Sequence, residues 1–474
     1  LWGWIASRGD QLYGSCGKDT TTANLLFCLD NSTGNVLWQT PVRQVRNSSI
    51  AMADQQLFFL ESRPSPQEKQ AAESMQLPLL PNDPKPGVPL PSQRYYPRGK
   101  TPADVRTVVA LDRQTGKPLW RQPLDLTGMG KEPTLCVSRG TVLVAANMDA
   151  TRFIALDARD GTPRWTKKTV YFRRPVIVEG TIYTLPFAHD LATGALKMRT
   201  NPITGTETPF VWTKAYGCGG ASASNHTLFF RSGSLGFYDI TQDSGVGNVG
   251  GLKPSCWISQ IPAGGLWLAP EGSAGCSCAY PIRSSMALRP VAVKQDWWTH
   301  YVKGIDIAPV RQLRLNVGAP GDRRDSHGRL WLSWPRPKSR LTLKLPVTCP
   351  EGAPGAFLTD VNAPLARLTD RPWLHASGSS GPITMNLALR KPTGTPHEYA
   401  IRLHYGVHPG AEKGECTVSV VLTRTTSSSP PVTATVGMKP TVLELVAEAD
   451  GELTVHSSAT DGKAFLCGVE IERR

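Results

Sequence analysis

The sequence has no run of eighteen apolar residues, so it encodes no helical membrane span. It has no C-x-x-C-H, which removes covalent attachment of a c-type haem, and no G-x-S-x-G, which removes a nucleophile elbow. Helical periodicity is nearly absent, with one short candidate helix around Pro66 to Met75. Acid is in short supply: 38 Asp and Glu face 52 Lys and Arg, for a net charge of +14. Basic charge attracts polyanions. Yet the sequence lacks the basic helix, the aromatic stacking strip and the zinc module that nucleic-acid binding would call for. An anionic polysaccharide or an acidic partner protein is the better functional match for the charge, and a solvated surface is the bland one. The chain begins at Leu1 without Met or leader, as a mature form or a piece of a longer protein does.

What is present is repetition. "LFCLDNSTGNVLWQTPV" from Leu26, "ALDRQTGKPLWRQPL" from Ala110, "FIALDARDGTPRWTKKT" from Phe153 and the weaker "FAHDLATGALKMRT" from Phe187 share one frame. Apolar residues lead to an Asp (Asp30, Asp112, Asp157, Asp190), a turn with Gly (Gly34, Gly116, Gly161, Gly194) and then a Trp (Trp38, Trp120, Trp165). Each frame predicts a β-hairpin in which Gly supplies positive φ. The Asp is expected to accept turn N–H groups, and the Trp to cover a neighbouring unit. Because the motif recurs, these residues are structural and do not mark a single active site. Between the copies lie polar turns followed by alternating strands, such as "RGTVLVAA" at Arg139 and "EGTIYTLP" at Glu179. All-β repeats at this period mean a propeller or a solenoid.

The "ALDxxTGxxxW" frame resembles the blade signature of quinoprotein-type (PQQ-repeat) propellers. The resemblance covers roughly residues 1 to 290 and implies an all-β propeller. About six blades are visible, as part of a ring of seven or eight. The family's enzymes use an adjacent Cys-Cys ring, a calcium site and a catalytic Asp, whereas many other members bind no quinone. No Cys-Cys pair and no assignable calcium cluster occur here, so no cofactor is expected, neither calcium nor pyrroloquinoline quinone, and no catalytic residue is assigned. A Pro-rich insertion at 63–104 reads as a long loop leaving one blade, either a flexible excursion or an arm for a partner.

The stretch from Gly217 to Pro290 is dense in Gly, Ser, Cys and aromatics, and resembles large propeller proteins of the planctomycete-type bacterial envelope. It reads either as a ligand-binding face, with Trp257, Trp267, Tyr280 and Arg283 as candidates, or as a blade with long tied loops. The ten Cys permit disulfides and an exported location. Seven fall before residue 290 and three after, so the parity leaves thiols over. Cys218, Cys256, Cys276 and Cys278 are the disulfide candidates. They depart from zinc-knuckle spacing, and no metal is expected. Cys467 reads as a small hydrophobe on a buried strand.

Residues 1–295 therefore form the expected propeller, 296–309 a linker, and 310–474 a second domain. There, short alternating runs, among them "RQLRLNV", "RLWLSW", "RLTLKLPV", "ITMNLALR", "EYAIRLHYGV", "CTVSVVLTR", "TVLELVAEA", "GELTVHSS" and "AFLCGVEIE", predict a β-sandwich. "LRLNVGAPGDRRDSHGRLWLSWP", "EYAIRLHYGV" and the closing "GVEIE" resemble the malectin-type jelly roll. That family binds glycans in loops at one end of the sandwich. The resemblance points to Asp322, Asp325 and Trp331 in its D…G…W loop, and to His404, Tyr405 and His408 at a strand end. His404 and His408 lack a third metal ligand, and a hydrogen-bonded His404 imidazole is expected.

The functional expectation is a noncatalytic binding or scaffold protein of the bacterial cell envelope, exported to the periplasm or cell surface. The propeller would serve protein partners, and the jelly roll a glycan or protein. Two alternatives stand beside it: a carbohydrate-active lyase or hydrolase with an accessory sugar-binding domain, and a quinone- or metal-dependent oxidoreductase.

Overall fold

The computed structural model describes residues 1–85, 102–256, 260–271, 284–291, 297–339, 341–350, 356–358, 369–407, 416–424, 427–437, 439–459 and 464–474. Strand dominates it. The first part consists of sheets built in chain order, each opened by a strand that touches the opening strand of the next. That succession runs Trp2–Arg8, the second half of Val36–Met52, Lys131–Ser138, Val176–Val178, Ser222–Ala223 and Ile261–Ala263. Opening strands that contact only their neighbours in sequence are the inner walls of propeller blades.

The repeated hairpins explain how the blades hold together. Asp30, Asp112, Asp157 and Asp190 each accept main-chain N–H groups of their own turn, for example Thr33 N at 2.8 Å and Thr115 N at 2.8 Å. The Gly four residues on has φ of +67 to +79° in every copy. The next Trp then leaves its own blade. Trp38 Nε1 donates to Arg113 O at 3.0 Å, Trp120 Nε1 to Ala158 O at 3.0 Å, and Trp165 Nε1 to Ala192 O at 3.0 Å. Each acceptor lies in the following copy of the turn. The indole rests on that turn's Gly so closely that a Cβ on Gly116 or Gly161 would meet it at 2.6 Å. Glycine is thus required twice, for its φ and for its missing side chain.

Two further copies of the turn escape the sequence frame. Asn201 stands for Asp and holds Ile203 N at 2.9 Å, with Gly205 at φ +72°. Asp239 holds Thr241 N and Gln242 N, and Asp243 occupies the glycine position at φ +49°. No Trp arrives over Gly205. The side chain of Arg311, at the entrance of the second domain, lies there instead.

The insertion is not a free loop over its described part. Ser65 and Glu68 form a capping box for the helix Pro66–Ser74. Glu68 bridges Arg43 and Arg121, which both also reach the buried Glu61. Met75 and Leu77 then pack on the core of the neighbouring blades. Leu79–Leu80 adds as a parallel strand to Pro163–Arg173. Residues 86–101 lie outside the described residues.

The second part is a β-sandwich of one eight-stranded and one five-stranded sheet. Alternation along Cys416–Arg424, Ile383–Ala388 and Glu452–Ala459 aims Val418, Val420, Met385, Leu387, Leu453 and Val455 into one core with Leu403, Val469 and Ile471. Over its described part the run "RLTLKLPV" does not form one continuous strand: Thr342 makes a single bridge to Val302, and Val347–Thr348 pairs with Ile383–Ala388. Leu343 turns into the core instead.

The expected linker is built into both parts. Thr299–His300 completes the sheet of Val246–Val249. Val302 packs among blade residues, and Tyr301 packs in the sandwich core together with Ile203 of the propeller. Asp243 tightens this seam. Its carboxylate takes Arg199 Nη1 at 2.6 Å and the Tyr238 hydroxyl, and its carbonyl takes Arg324 Nη2 at 2.9 Å.

Candidate functional site

The residues picked from the D…G…W loop are structural. Asp322 is fully buried; it accepts Tyr301 N, Ser333 N and the Arg336 guanidinium. Asp325 accepts His327 N, Arg329 N and Arg329 Nε, and sits 3.3 Å from Trp331 Nε1. Trp331 is fully buried, edge-on to Trp373 and His404. Tyr405 is buried, with its hydroxyl 2.7 Å from Ser457 Oγ. None of the four offers a surface to a ligand: Trp331 packs under Trp373 and Leu374, Tyr405 faces the core between the two sheets, and Asp322 and Asp325 spend their carboxylates on main-chain N–H groups and arginines. His408 lies outside the described residues.

Beneath that cover is a buried polar knot. Glu470 takes His404 Nε2 at 2.8 Å, Arg314 Nε at 3.0 Å and Arg371 Nη1 at 3.3 Å. His404 is therefore hydrogen-bonded, as expected. Burial pushes Glu470 up, but His404, Arg314 and Arg371 outweigh it and hold it down at about 2. Burial, with His404 and Arg371 nearby, pushes His375 down to about 3. Cys467 is buried as a small hydrophobe, its thiol pushed up to about 12 by burial.

Both groups make the fold acid-sensitive, in different windows. Unfolded His375 takes up a proton near its ordinary 6.5, whereas the folded residue resists until about 3, so stability falls as pH drops between those values. Glu470 contributes stability that is full above its ordinary 4.5 and is lost as pH falls toward 2. His375→Gln is expected to flatten the upper part of the fall, from pH 6.5 to 4.5, while Glu470→Gln changes only the lower part. Thermal midpoints measured across this range test the assignment. An unchanged slope above pH 4.5 in His375→Gln would refute it.

On the propeller, Trp267 is half-buried. Its Nε1 donates to Gln260 Oε1 at 2.6 Å, and its ring packs on Phe229 at 4.9 Å and on Phe237 at 5.9 Å. Phe237 also meets the half-exposed Trp297 at 5.6 Å. Trp257, Tyr280 and Arg283 lie outside the described residues. Cys218 and Cys256 carry free thiols, so the expected disulfides do not tie them; Cys276 and Cys278 are likewise outside the described residues. Cys256 is buried, where a thiol packs as a small apolar group.

Two cavities lie elsewhere, on both sides of Pro84–Lys85. One cavity of about 650 Å³ is lined by Asp83, Lys85, Arg152, Lys168, Val170 and Phe187 among others. A second, of about 660 Å³, shares Pro84, Lys85 and Phe187 and continues to Pro209, Lys303, Ile305, Asp306, Ile307 and Lys344. It opens where propeller and sandwich meet. Asp83 is the pivot between the propeller and the strap, the end of the insertion from Pro78 to Asp83 that runs along Pro163–Arg173. Its Oδ1 lies 3.0 Å from Lys167 Nζ and its Oδ2 2.8 Å from His189 Nε2, all three side chains being buried. These two neighbours outweigh the burial that would push the Asp83 carboxyl up, and hold it below its ordinary value. The cleft went unseen in the sequence because its cations come from separate segments, each without a motif.

Residues 84–191 match the family model of the outer membrane protein assembly factor BamB. No curated protein matches the chain. Among solved structures, BamB from Moraxella catarrhalis is 16% identical over 57% of this chain and 67% of its own, with a TM-score of 0.33. Quinohemoprotein alcohol dehydrogenase from Comamonas testosteroni is 12% identical over 56% of this chain and 51% of its own, with a TM-score of 0.32. The ANX2 ectodomain from Arabidopsis thaliana is 16% identical over 34% of this chain and 49% of its own, with a TM-score of 0.24. The blade geometry shows a propeller, and residues 84–191 within it are similar to the BamB family's repeat.

Proposed function

We propose that this chain is a noncatalytic binding and scaffold protein of the bacterial cell envelope, exported to the periplasm or cell surface. The propeller presents surfaces to protein partners. The sandwich, read as a malectin-like jelly roll, serves a glycan or a further protein. The observation that carries the reading is the use made of the repeated residues. Every blade Asp and Trp of the frame is engaged in holding a turn or the next blade. The match of residues 84–191 to an assembly factor supports the same reading. The seam adds to it, since Asp243, Tyr301 and Arg311 lock the two parts into one surface.

The test is the native mass of the protein isolated gently from its source. A scaffold is expected in a particle well above the 51.4 kDa of one chain, with defined partner proteins at fixed stoichiometry. Replacing residues 86–101 by a short Gly-Ser linker then asks whether the insertion is the arm that holds them. A lone monomer with no fixed partner refutes the scaffold reading.

A further inference from the structure

We propose that the cleft on either side of Pro84–Lys85 binds an extended acidic peptide segment of a partner protein. The proposal rests on the scaffold reading and names the kind of partner it would hold. Three observations lead to it.

The first is charge. Lys85, Arg152 and Lys168 line one cavity, and Lys85, Lys303 and Lys344 the other. Besides Asp83, whose carboxylate is already held by Lys167 and His189, Asp306 is the only acid among the described lining residues. Arg152 is held by one bond to Asp125 O at 2.7 Å, while its Nε is buried and has no hydrogen-bond partner. The Arg152 guanidinium lines the cavity, where a planar cation is suited to pair with an incoming carboxylate.

The second is precedent within the chain. The strap shows what this face accepts. Pro78 to Asp83 lies extended along the strand Pro163–Arg173: Thr166 N donates to Pro78 O at 2.6 Å, and Leu79–Leu80 pairs in register with Thr166 and Lys167. Leu80 sits against Trp165 and Gly194, and Asp83 plants its carboxylate between Lys167 and His189. An extended main chain with an apolar residue and then an acid is therefore already recognised at the edge of the cleft. This is strand addition with side-chain pockets, carried out in cis.

The third is the wall. Val170 is 39% exposed, and Ile305 and Ile307 are half-buried beside Pro209. Aliphatic surface between cations suits apolar side chains alternating with acids along a peptide. An anionic polysaccharide has charge but would gain little from such a wall, and would favour open aromatic platforms. Phe187, the aromatic lining both cavities, is buried.

Labelled poly-L-glutamate and labelled polygalacturonate are the probes, with binding followed by fluorescence anisotropy at low and at physiological salt. Poly-L-glutamate is expected to bind more tightly than polygalacturonate and to weaken with salt. The double variant Lys168→Glu/Lys303→Glu is expected to lose about tenfold or more in poly-L-glutamate affinity, whereas Lys439→Glu, on a turn outside both cavities, changes it little. Unfolding midpoints establish that both variants fold. Equal loss in the two variants, or none in either, overturns the cleft assignment. Tighter binding of polygalacturonate with the same dependence on Lys168 and Lys303 overturns the peptide in favour of a polysaccharide. Native mass separates the two levels of the reading. A double variant that keeps its partners but has unchanged poly-L-glutamate binding refutes the cleft alone, and a wild-type chain without partners refutes the scaffold.

Discussion

Trp165→Ala is expected to cost about 3–5 kcal/mol of stability, while Met198→Ala, at the matching position of the next copy, stays within about 0.5 kcal/mol. The two residues follow the same Asp–Gly frame, and one blade separates them. Trp165 is 3% exposed and packs with Phe153, Tyr171, Ile182 and Leu191. Its indole covers Gly194 of the following turn and donates to Ala192 O. Truncation opens a cavity between two blades and also strands the strap, because Leu80 uses the same indole. Met198 is 49% exposed and staples nothing comparable. Gly194→Ala attacks the pair from the other side. A Cβ there would lie 2.5 Å from Leu80 and 2.9 Å from Trp165, and φ is +67°. It should therefore lose more than the roughly 1 kcal/mol expected for positive φ alone. Urea unfolding midpoints of the three variants decide the matter. A Trp165→Ala loss no larger than that of Met198→Ala would mean that the indole is not a staple.

The staple shows what a single sequence reveals. Asp, Gly and Trp at spacings of four announce a hairpin, because turn chemistry is local and uses few residues. The same spacing even suggests that the Trp must leave its blade. It does not reveal the copies at Asn201 and Asp239, where Asn replaces Asp and Asp243 replaces Gly, since a positive φ in Asp is set by its partners Arg199 and Arg324 far along the chain. The binding residues fail for a related reason. Asp322, Asp325, Trp331 and Tyr405 have the residue types of a sugar site, but distant segments bury them: Trp373 and Leu374 over Trp331, Ser457 and the sandwich core over Tyr405, Tyr301 at Asp322, and such burial leaves no local trace. The cleft is the converse case. Lys85, Arg152, Lys168, Lys303 and Lys344 are ordinary basic residues until the strap and the seam bring them to the two cavities beside Pro84–Lys85. The insertion was legible as Pro-rich and non-repetitive. Its docking depends on Glu68, Leu80 and Asp83 meeting partners on four successive blades.

Asp322→Ala is expected to be the most damaging change in the second domain, at about 3–5 kcal/mol, and to act through the seam. Asp322 is fully buried and serves both parts at once. Its Oδ2 accepts Tyr301 N at 2.5 Å, while its Oδ1 accepts Ser333 N at 2.7 Å and the Arg336 guanidinium. Its main chain pairs with Thr299, the strand that completes a blade sheet. Removing the carboxylate leaves the Arg336 side chain, 8% exposed, as a buried charge whose remaining bonds go to Tyr301 O and Ser333 Oγ. The cost of an uncompensated buried cation exceeds that of the lost contacts. Asp322→Asn keeps the shape and one acceptor, and should recover part of the loss without restoring the ion pair. Removing Arg336 as well, in Asp322→Ala/Arg336→Met, should recover more, because no charge is then left behind. Unfolding midpoints give the energies, and limited proteolysis at residues 297–309 reports the seam: the single Ala variant is expected to be cut there faster than the wild type under native conditions. If the double variant is no more stable than the single one, the stranded charge is not the cause, and the seam is held by Tyr301 and Ile203 packing instead.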